Sequence, residues 1–424
     1  MKRYRKAIAA GAVAALAAIA VAGCSSSQSP SSGGKVELSF LTFTSPNVTK
    51  AMWESATADI EKANPQIKVK LLYTPTLDRQ GYAKQLLASG QLPDILWDAP
   101  LPDFVKAGAL LPYEPSDFEG LDIPKDFNAV GGKQYSLSNG VFISPGIFYN
   151  PDAFKKAGVA PPTTWDELFS AADALKKSGS TPFLLSGGSD TWSTGFLMSA
   201  IVSADVIAND PAWMTERKAD KVHFSDPQFV GAVEKFVKLR DAGYFNSNAL
   251  SINYAQANAA WAKGQYAMWP MGGWGGGVKS DKFTPSVFAM PTDSGAKILP
   301  SIVGPSLYIS AKTAHPAEAR KVAVALAGLK SLQESQMKND AQFPIVKGIT
   351  PPAGTTQATL DGLKVYNDTS YKQVYGFPNT VTGDDMPPSG WVDEFNKAMQ
   401  ALVGGGSASD FVKSLDNSWA KLSK

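Results

Sequence analysis

Residues able to do covalent chemistry are few in this 424-residue chain and badly spaced for it. Its two histidines, His223 and His315, lie 92 positions apart, so a histidine metal site or a Ser-His-Asp triad has little material. Each reads more simply as a strand or helix-cap residue. Ser335-Gln336-Met337-Lys338 and Ser418-Trp419-Ala420-Lys421 match a Ser-x-x-Lys element, but no Ser-Asp-Asn or Lys-Thr-Gly accompanies them, and chance explains both. Gly187-Gly188-Ser189-Asp190-Thr191 lacks the last glycine of a nucleophile elbow. No phosphate loop is present, and Gly272-Gly273-Trp274-Gly275-Gly276-Gly277 does not fit the dinucleotide fingerprint. Paired carboxylates remain at Asp384-Asp385 and Asp393-Glu394; a glycosidase needs two across a cleft, whereas adjacent acids are ordinarily solvated surface. The inventory predicts binding rather than catalysis, with no metal and no cofactor.

The single cysteine, Cys24, has a different context. Lys2, Arg3, Arg5 and Lys6 precede an apolar run from Ala7 to Gly23, the pattern of an export signal. The run ends in Leu16-Ala17-Ala18-Ile19-Ala20-Val21-Ala22-Gly23-Cys24, which resembles a bacterial lipoprotein cleavage site. There the cysteine becomes the new N-terminus and takes the lipid, including a palmitate chain. A transmembrane anchor is the competing reading, at the short, weakly hydrophobic limit for a span. Acyl chains would hold the protein at a membrane surface, each buried methylene adding roughly 0.8 kcal/mol. Residues 24–34, almost all Ser, Gly, Pro and Gln, would form a flexible tether.

Some 390 residues follow, more than one ordinary core accommodates, so two lobes are expected. The whole chain has 40 basic and 38 acidic residues; without residues 1–23 the count is 36 against 38. That balance argues against nucleic acid, which demands a basic stripe. Aromatics are plentiful, with 10 Trp, 13 Tyr and 21 Phe.

The elements that must position these rings alternate. Val36 to Thr42 suits a buried strand, Ala51, Met52, Ala56 and Ile60 a helix ending at Asn64-Pro65, and Ile67, Val69 and Leu71 a half-exposed strand. Gln80 to Ser89 reads as a helix closed by Gly90, and Asp94 to Trp97 as a third strand, so a mainly parallel sheet is expected. Thr164 and Glu167 form a capping box for a helix, Asp226-Pro227 opens another that ends near Gly243, and Pro316 starts a third. Trp391, Phe395, Ala398, Met399 and Leu402 line a further helix before the break at Gly404-Gly405-Gly406.

Several segments in order resemble the extracytoplasmic solute-binding proteins of ABC importers, in particular the family that takes up sugars (extracellular solute-binding protein family 1, maltose-binding-protein-like). They are Ala63-Asn64-Pro65-Gln66-Ile67-Lys68-Val69, Leu86 to Gly90 with Pro93-Asp94-Ile95, Ala107 to Pro112, Phe148 to Gly158, Pro162 to Leu168, and Trp261 to Met268 leading to Gly272-Gly273-Trp274. The resemblance implies an α/β fold of two periplasmic-binding-protein-like (type II) lobes, joined by hinge strands and closing on ligand in a cleft. The first lobe would hold residues 35–140 plus 304–343, the second 141–303 plus 344–424.

Sugar rings present apolar C–H faces that stack on indole or phenol, while hydroxyls need carboxylates, amides and backbone groups. Trp274, in a glycine loop whose Gly273 lets ligand approach, is the best platform; the alternative for the loop is an awkward surface turn. Trp192 is next. Trp391 resembles a cleft ring by family position, yet falls in register with Phe395 and Met399, as a core residue would. Thr44 and Ser45 after the first strand and Asp98 after the third are expected at the ligand, because ligands lie at strand C-terminal ends. Asp98 would accept from two hydroxyls or cap a helix. The chain is thus expected to be a lipid-anchored, non-enzymatic, monomeric carbohydrate-binding protein on the outer face of the cell membrane, delivering an oligosaccharide to ABC permease subunits. The alternatives are a binder of glycerol phosphate, a polyamine or ferric iron, or a lipid-anchored glycosidase.

Overall fold

The first five elements follow the expected alternation. In the computed structural model, strand Val36–Thr42 leads to helix Lys50–Ala63, strand Ile67–Tyr73, helix Arg79–Ala88 and strand Ile95–Trp97. The first strand sits between the other two, parallel to both. Strand Ser306–Ser310 returns much later in the chain and adds antiparallel to Ile95–Trp97, with Leu110–Leu111 and Leu137–Ser138 pairing to it in turn. The sheet is covered on both faces. Leu38 and Phe40 pack with Trp53, Ile309 and Val322, while Leu41 packs with Ala83, Phe104 and Tyr308. Burial on both sides is why strand Ile95–Trp97 is wholly apolar, whereas Ile67–Tyr73 at the sheet edge alternates with Lys68 and Lys70.

A second sheet has the order Thr181–Phe183, Tyr266–Met271, Gly146–Tyr149, Ser286–Phe288, with the last two pairings antiparallel. Ile147, Phe183 and Met268 face a core completed by Leu168, Leu197, Phe229 and Phe236. Phe148, Trp269 and Met271 face a smaller one with Trp261 and Phe196. The capping box at Thr164 and Glu167 starts helix Trp165–Lys177, and Pro227 occupies the first turn of helix Pro227–Asp241. Helices Trp391–Val403 and Ala408–Leu422 pack against this second core.

Between the two sheets the chain crosses through a three-stranded sheet of Lys372–Val374, Ile298–Val303 and Val141–Ile143. Val141 also bridges Phe343, exchanging both backbone hydrogen bonds at 3.0 and 2.8 Å. The crossings are pinched tightly enough to exclude side chains. Gly304 donates its N–H to the Gly140 carbonyl at 2.7 Å, and a Cβ on Gly140 would lie 2.4 Å from the Gln342 side chain.

The structure describes residues 35–125, 127–378 and 381–424, and Val36–Lys424 form one compact unit. The leader at 1–23, the lipid site at Cys24 and the tether at 24–34 lie outside the described residues. Among the described residues no helix is long and apolar enough to cross a membrane.

Candidate ligand site

The first strand delivers Phe43 and then a tight turn. Ser45 Oγ accepts the backbone N–H groups of Asn47 and Val48 at 3.2 and 3.1 Å, and Ser45 donates its own N–H to the Val48 carbonyl at 2.9 Å. Ser45 Oγ is thus the acceptor that closes the turn, with Thr44 half-buried beside it. What the turn presents is Asn47. Its Nδ2 donates to the carbonyls of Trp274 and Asn339, both at 3.0 Å, and its Oδ1 accepts from the Tyr254 hydroxyl at 3.0 Å. Two carbonyl partners fix the NH₂ end of the amide. One carboxamide thereby ties the first sheet's loop to a loop and a helix of the second.

Asp98 follows the third strand with φ of 70°, and its N–H donates to the Ser306 carbonyl at 2.8 Å. Its carboxylate is engaged: Oδ2 lies 3.1 Å from Nη2 of Arg79, the first residue of helix Arg79–Ala88. The same guanidinium sits 4.2 Å from the centroid of the Phe43 ring, which stacks on Trp97 at 5.0 Å and 10°. Asp98 is thus placed as an ion-pair partner on an aromatic shelf through one of its two oxygens.

The facing wall is aromatic. Trp274 is half-buried, edge-on to Phe196 at 5.6 Å, Phe142 at 5.8 Å and Trp192 at 6.2 Å. Trp192, also half-buried, leans on Tyr254 at 5.3 Å. The two indoles expected at the ligand are therefore neighbours. The glycines around Trp274 have a different reason from the one the sequence suggests. A Cβ on Gly272 would sit 2.2 Å from the Trp274 ring, one on Gly273 2.8 Å from Phe142, and one on Gly277 2.2 Å from the Asn339 carbonyl oxygen. The glycines let the loop press against protein, and Gly273 is buried against Phe142 and the Ile143 carbonyl.

Against that loop lies the C-terminal end of helix Lys330–Asp340. Ala341 caps it with φ of 51°, so Asp98 and Ala341 are two of the three non-glycine residues with positive φ among the described residues. Such outliers persist where surrounding structure over-determines them, often at ligand sites. Asp340 is 6% exposed. Burial pushes its carboxyl up to about 8, with the Arg79 charge pulling the other way. Burial likewise pushes the Tyr254 phenol up, helped by Asp340.

Trp391 is corrected. It is fully buried, stacks on Phe224 at 4.9 Å and 14°, and donates its indole N–H to the Leu415 carbonyl at 3.2 Å. The helical register with Phe395 and Met399 was the better guide, because a stripe at that spacing must face the core. Sequence reasoning missed Asn47, Arg79, Tyr254 and Asp340. Asn47 had one available sign, a polar residue in a loop after a buried parallel strand; Asp340 reads as an ordinary helix C-terminus. Two hollows on outer faces, one lined by Glu54 and Lys68 and the other by Lys176 and Phe245, include none of these residues.

A family profile described as bacterial extracellular solute-binding protein matches residues 45–331. The chain is 29% identical over 356 residues to a multiple sugar-binding protein of Streptococcus mutans, covering 79% of this chain and 81% of that one. A chitin oligosaccharide binding protein superposes with a TM-score of 0.79 at 23% identity, covering 92% of this chain and all of the other. A solute-binding protein in complex with raffinose superposes at 0.74 with 22% identity, over 92% of this chain and all of the other.

Proposed function

Because the chain belongs to the bacterial extracellular solute-binding proteins, which bind solutes rather than transform them, we propose that it captures a neutral oligosaccharide between its two lobes and delivers it to an ABC permease. The observation that carries this reading is the pair of half-buried indoles, Trp192 and Trp274, set beside the Asn47 contact between the lobes. Indole faces take sugar C–H surfaces, and the surrounding amides and carbonyls suit hydroxyls. Charge supports it too. The cation at the site, Arg79, is already paired with Asp98, whereas a phosphate ligand calls for clustered free cations and a polyamine for several free acids. Tyr254, a phenol that iron would need, is bonded to Asn47.

The wider reading has residues 35–140 plus 304–343 and residues 141–303 plus 344–424 as the lobes, hinged where Gly140, Gly304 and Gln342 meet. The protein works as a monomer held to the outer face of the cell membrane by lipid on Cys24, and needs no cofactor. The relative named for multiple sugars and the two superposing oligosaccharide binders favour sugar as the ligand class. The test is thermal unfolding of the protein lacking residues 1–24 against mono- and oligosaccharides, glycerol phosphate, spermidine and ferric citrate. A ligand at about 100 times its dissociation constant adds roughly 2.7 kcal/mol. A saturable shift with one oligosaccharide series is expected, with the sugar recovered intact after long incubation. A shift with only a charged compound, or turnover of the sugar, would overturn the reading.

A further inference from the structure

Asp340 is a buried acid at the helix end that packs against the Trp274 loop. The residue is 6% exposed, and no described residue donates a hydrogen bond to its carboxyl group. Several polar groups of the contact are engaged elsewhere, although Gln336 Nε2, one turn earlier on the same helix, is buried without a partner among the described residues. Asp98 holds Arg79, Asn47 holds Trp274, Asn339 and Tyr254, and the Asn339 carbonyl next in the chain is taken by Asn47. A buried acid without protein donors escapes the cost of a buried charge by holding its proton, and its oxygens stay available to donors from a ligand. The residue after it, Ala341, is held in the left-handed region that alanine rarely adopts, which fixes the chain direction at this point. Gly277 adds a second constraint: its missing Cβ allows the Trp274 loop to within contact of the Asn339 carbonyl and the Asp340 N–H.

We propose that Asp340 is a ligand-contacting carboxylate, accepting one or two sugar hydroxyls beside the Trp274 ring and so setting which ring hydroxyls the site requires. The proposal rests on the oligosaccharide reading and deepens it. A sugar hydroxyl would find a free acceptor in this carboxyl group, and hydrogen bonds to a charged acceptor are the stronger kind. The groups facing Asp340 are Arg79, which favours its ionised form, and Tyr254, whose phenol is tied to Asn47. A site built to bond a hydroxyl rejects the analogue lacking it by large factors, because the protein group is then left unpaired. Asp340 is therefore a determinant of specificity as well as affinity.

The experiment is isothermal titration of the protein lacking residues 1–24, and of its D340N and D340A variants, with raffinose, diacetylchitobiose and xylotriose. For whichever probe binds the wild type, both variants are expected to lose at least tenfold in affinity while the ligand-free D340N protein melts no lower than wild type. Binding of that probe by both variants within tenfold of wild type overturns the Asp340 proposal and leaves the sugar reading standing. Failure of the wild type to bind any of these probes, with a shift from a charged compound instead, overturns the sugar reading and this proposal with it. Should D340N not fold, the wild type decides. Hydroxyl donors favour the ionised carboxylate, so affinity rising between pH 6 and pH 9 supports the proposal and a flat profile overturns it.

Discussion

Replacing Trp274 by alanine removes a half-buried ring held in T-shaped contact with Phe142, Phe196 and Trp192. Truncating such an aromatic anchor weakens binding by about 2 kcal/mol or more, roughly thirtyfold, so W274A should bind sugar at least that much more weakly in calorimetry. Trp391→Ala acts elsewhere. Deleting a fully buried indole stacked on Phe224 lowers stability by about 3–5 kcal/mol, seen as a lower Tm, with the affinity of the folded fraction unchanged. Asp340 adds a pH effect. Its carboxyl ionises near 3.8 when unfolded and near about 8 when folded, so between those values the folded chain holds the extra proton and this group makes stability fall as pH rises. The Tm of D340N relative to wild type, both ligand-free, should therefore increase from about pH 4 to about pH 8 and level off above; a constant difference would contradict it. At this scale the sequence distinguished the two tryptophans by register alone, since Trp391 shares a helical stripe and Trp274 stands among glycines. It offered nothing for Asp340, whose isolation depends on which donors happen to be absent around it.

Strands and helices were legible because each carries its own periodicity and stops. The Thr164 capping box, the Pro227 and Pro316 helix starts and the apolar run of the first strand all depend on residues a few positions apart, and all are found. Loops are another matter. The glycine run at 272–277 was recognisable as special, but its purpose is set by Phe142, Phe148 and Asn339, which come from three distant segments. Gly277→Ala would force a Cβ to 2.2 Å from the Asn339 carbonyl oxygen, a backbone atom that cannot swing away. Overpacking of that kind costs about 1–3 kcal/mol, and here the displaced segment carries Asp340, so G277A should lower both Tm and sugar affinity. The turn that presents Asn47 makes the complementary prediction. Asn47→Ala deletes three hydrogen bonds of 3.0 Å, two of them between the lobes, each worth about 0.5–1.5 kcal/mol net. Closure weakened by about 2 kcal/mol lowers affinity roughly thirtyfold for every ligand of the site alike, mostly through faster release. Small-angle scattering would show the ligand-free variant more expanded than wild type; an unchanged profile with unchanged affinity would remove Asn47 from the closing contact.

Over the whole molecule, two α/β lobes follow from length and alternation, whereas the site is assembled across separations that no local pattern records. Asn47 meets Trp274 227 positions away and Asn339 292 positions away. Those contacts are set by how the Ser306–Ser310 strand re-enters the first sheet and how the three crossings are pinched at Gly140, Gly304 and Gln342, both products of the complete topology. Charge is the whole-molecule property that composition did fix. With 36 basic and 38 acidic residues after residue 23, no strong field steers a charged solute toward the cleft, and the Arg79 cation inside it is matched by Asp98. A neutral sugar bound there neither gains from such a field nor releases counterions, and salt screens only interactions between net charges beyond about 10 Å at 0.1 M. Its dissociation constant should accordingly change by less than about twofold between 0.02 and 0.5 M NaCl, conditions that separate Debye lengths of roughly 20 Å from roughly 4 Å. A phosphate ester or polyamine held by unpaired charge would instead weaken several-fold over the same range. A steep salt dependence of the ligand that stabilises the protein would thus mean that the Arg79–Asp98 pair opens to take a charge, and the neutral-sugar reading would fall with it.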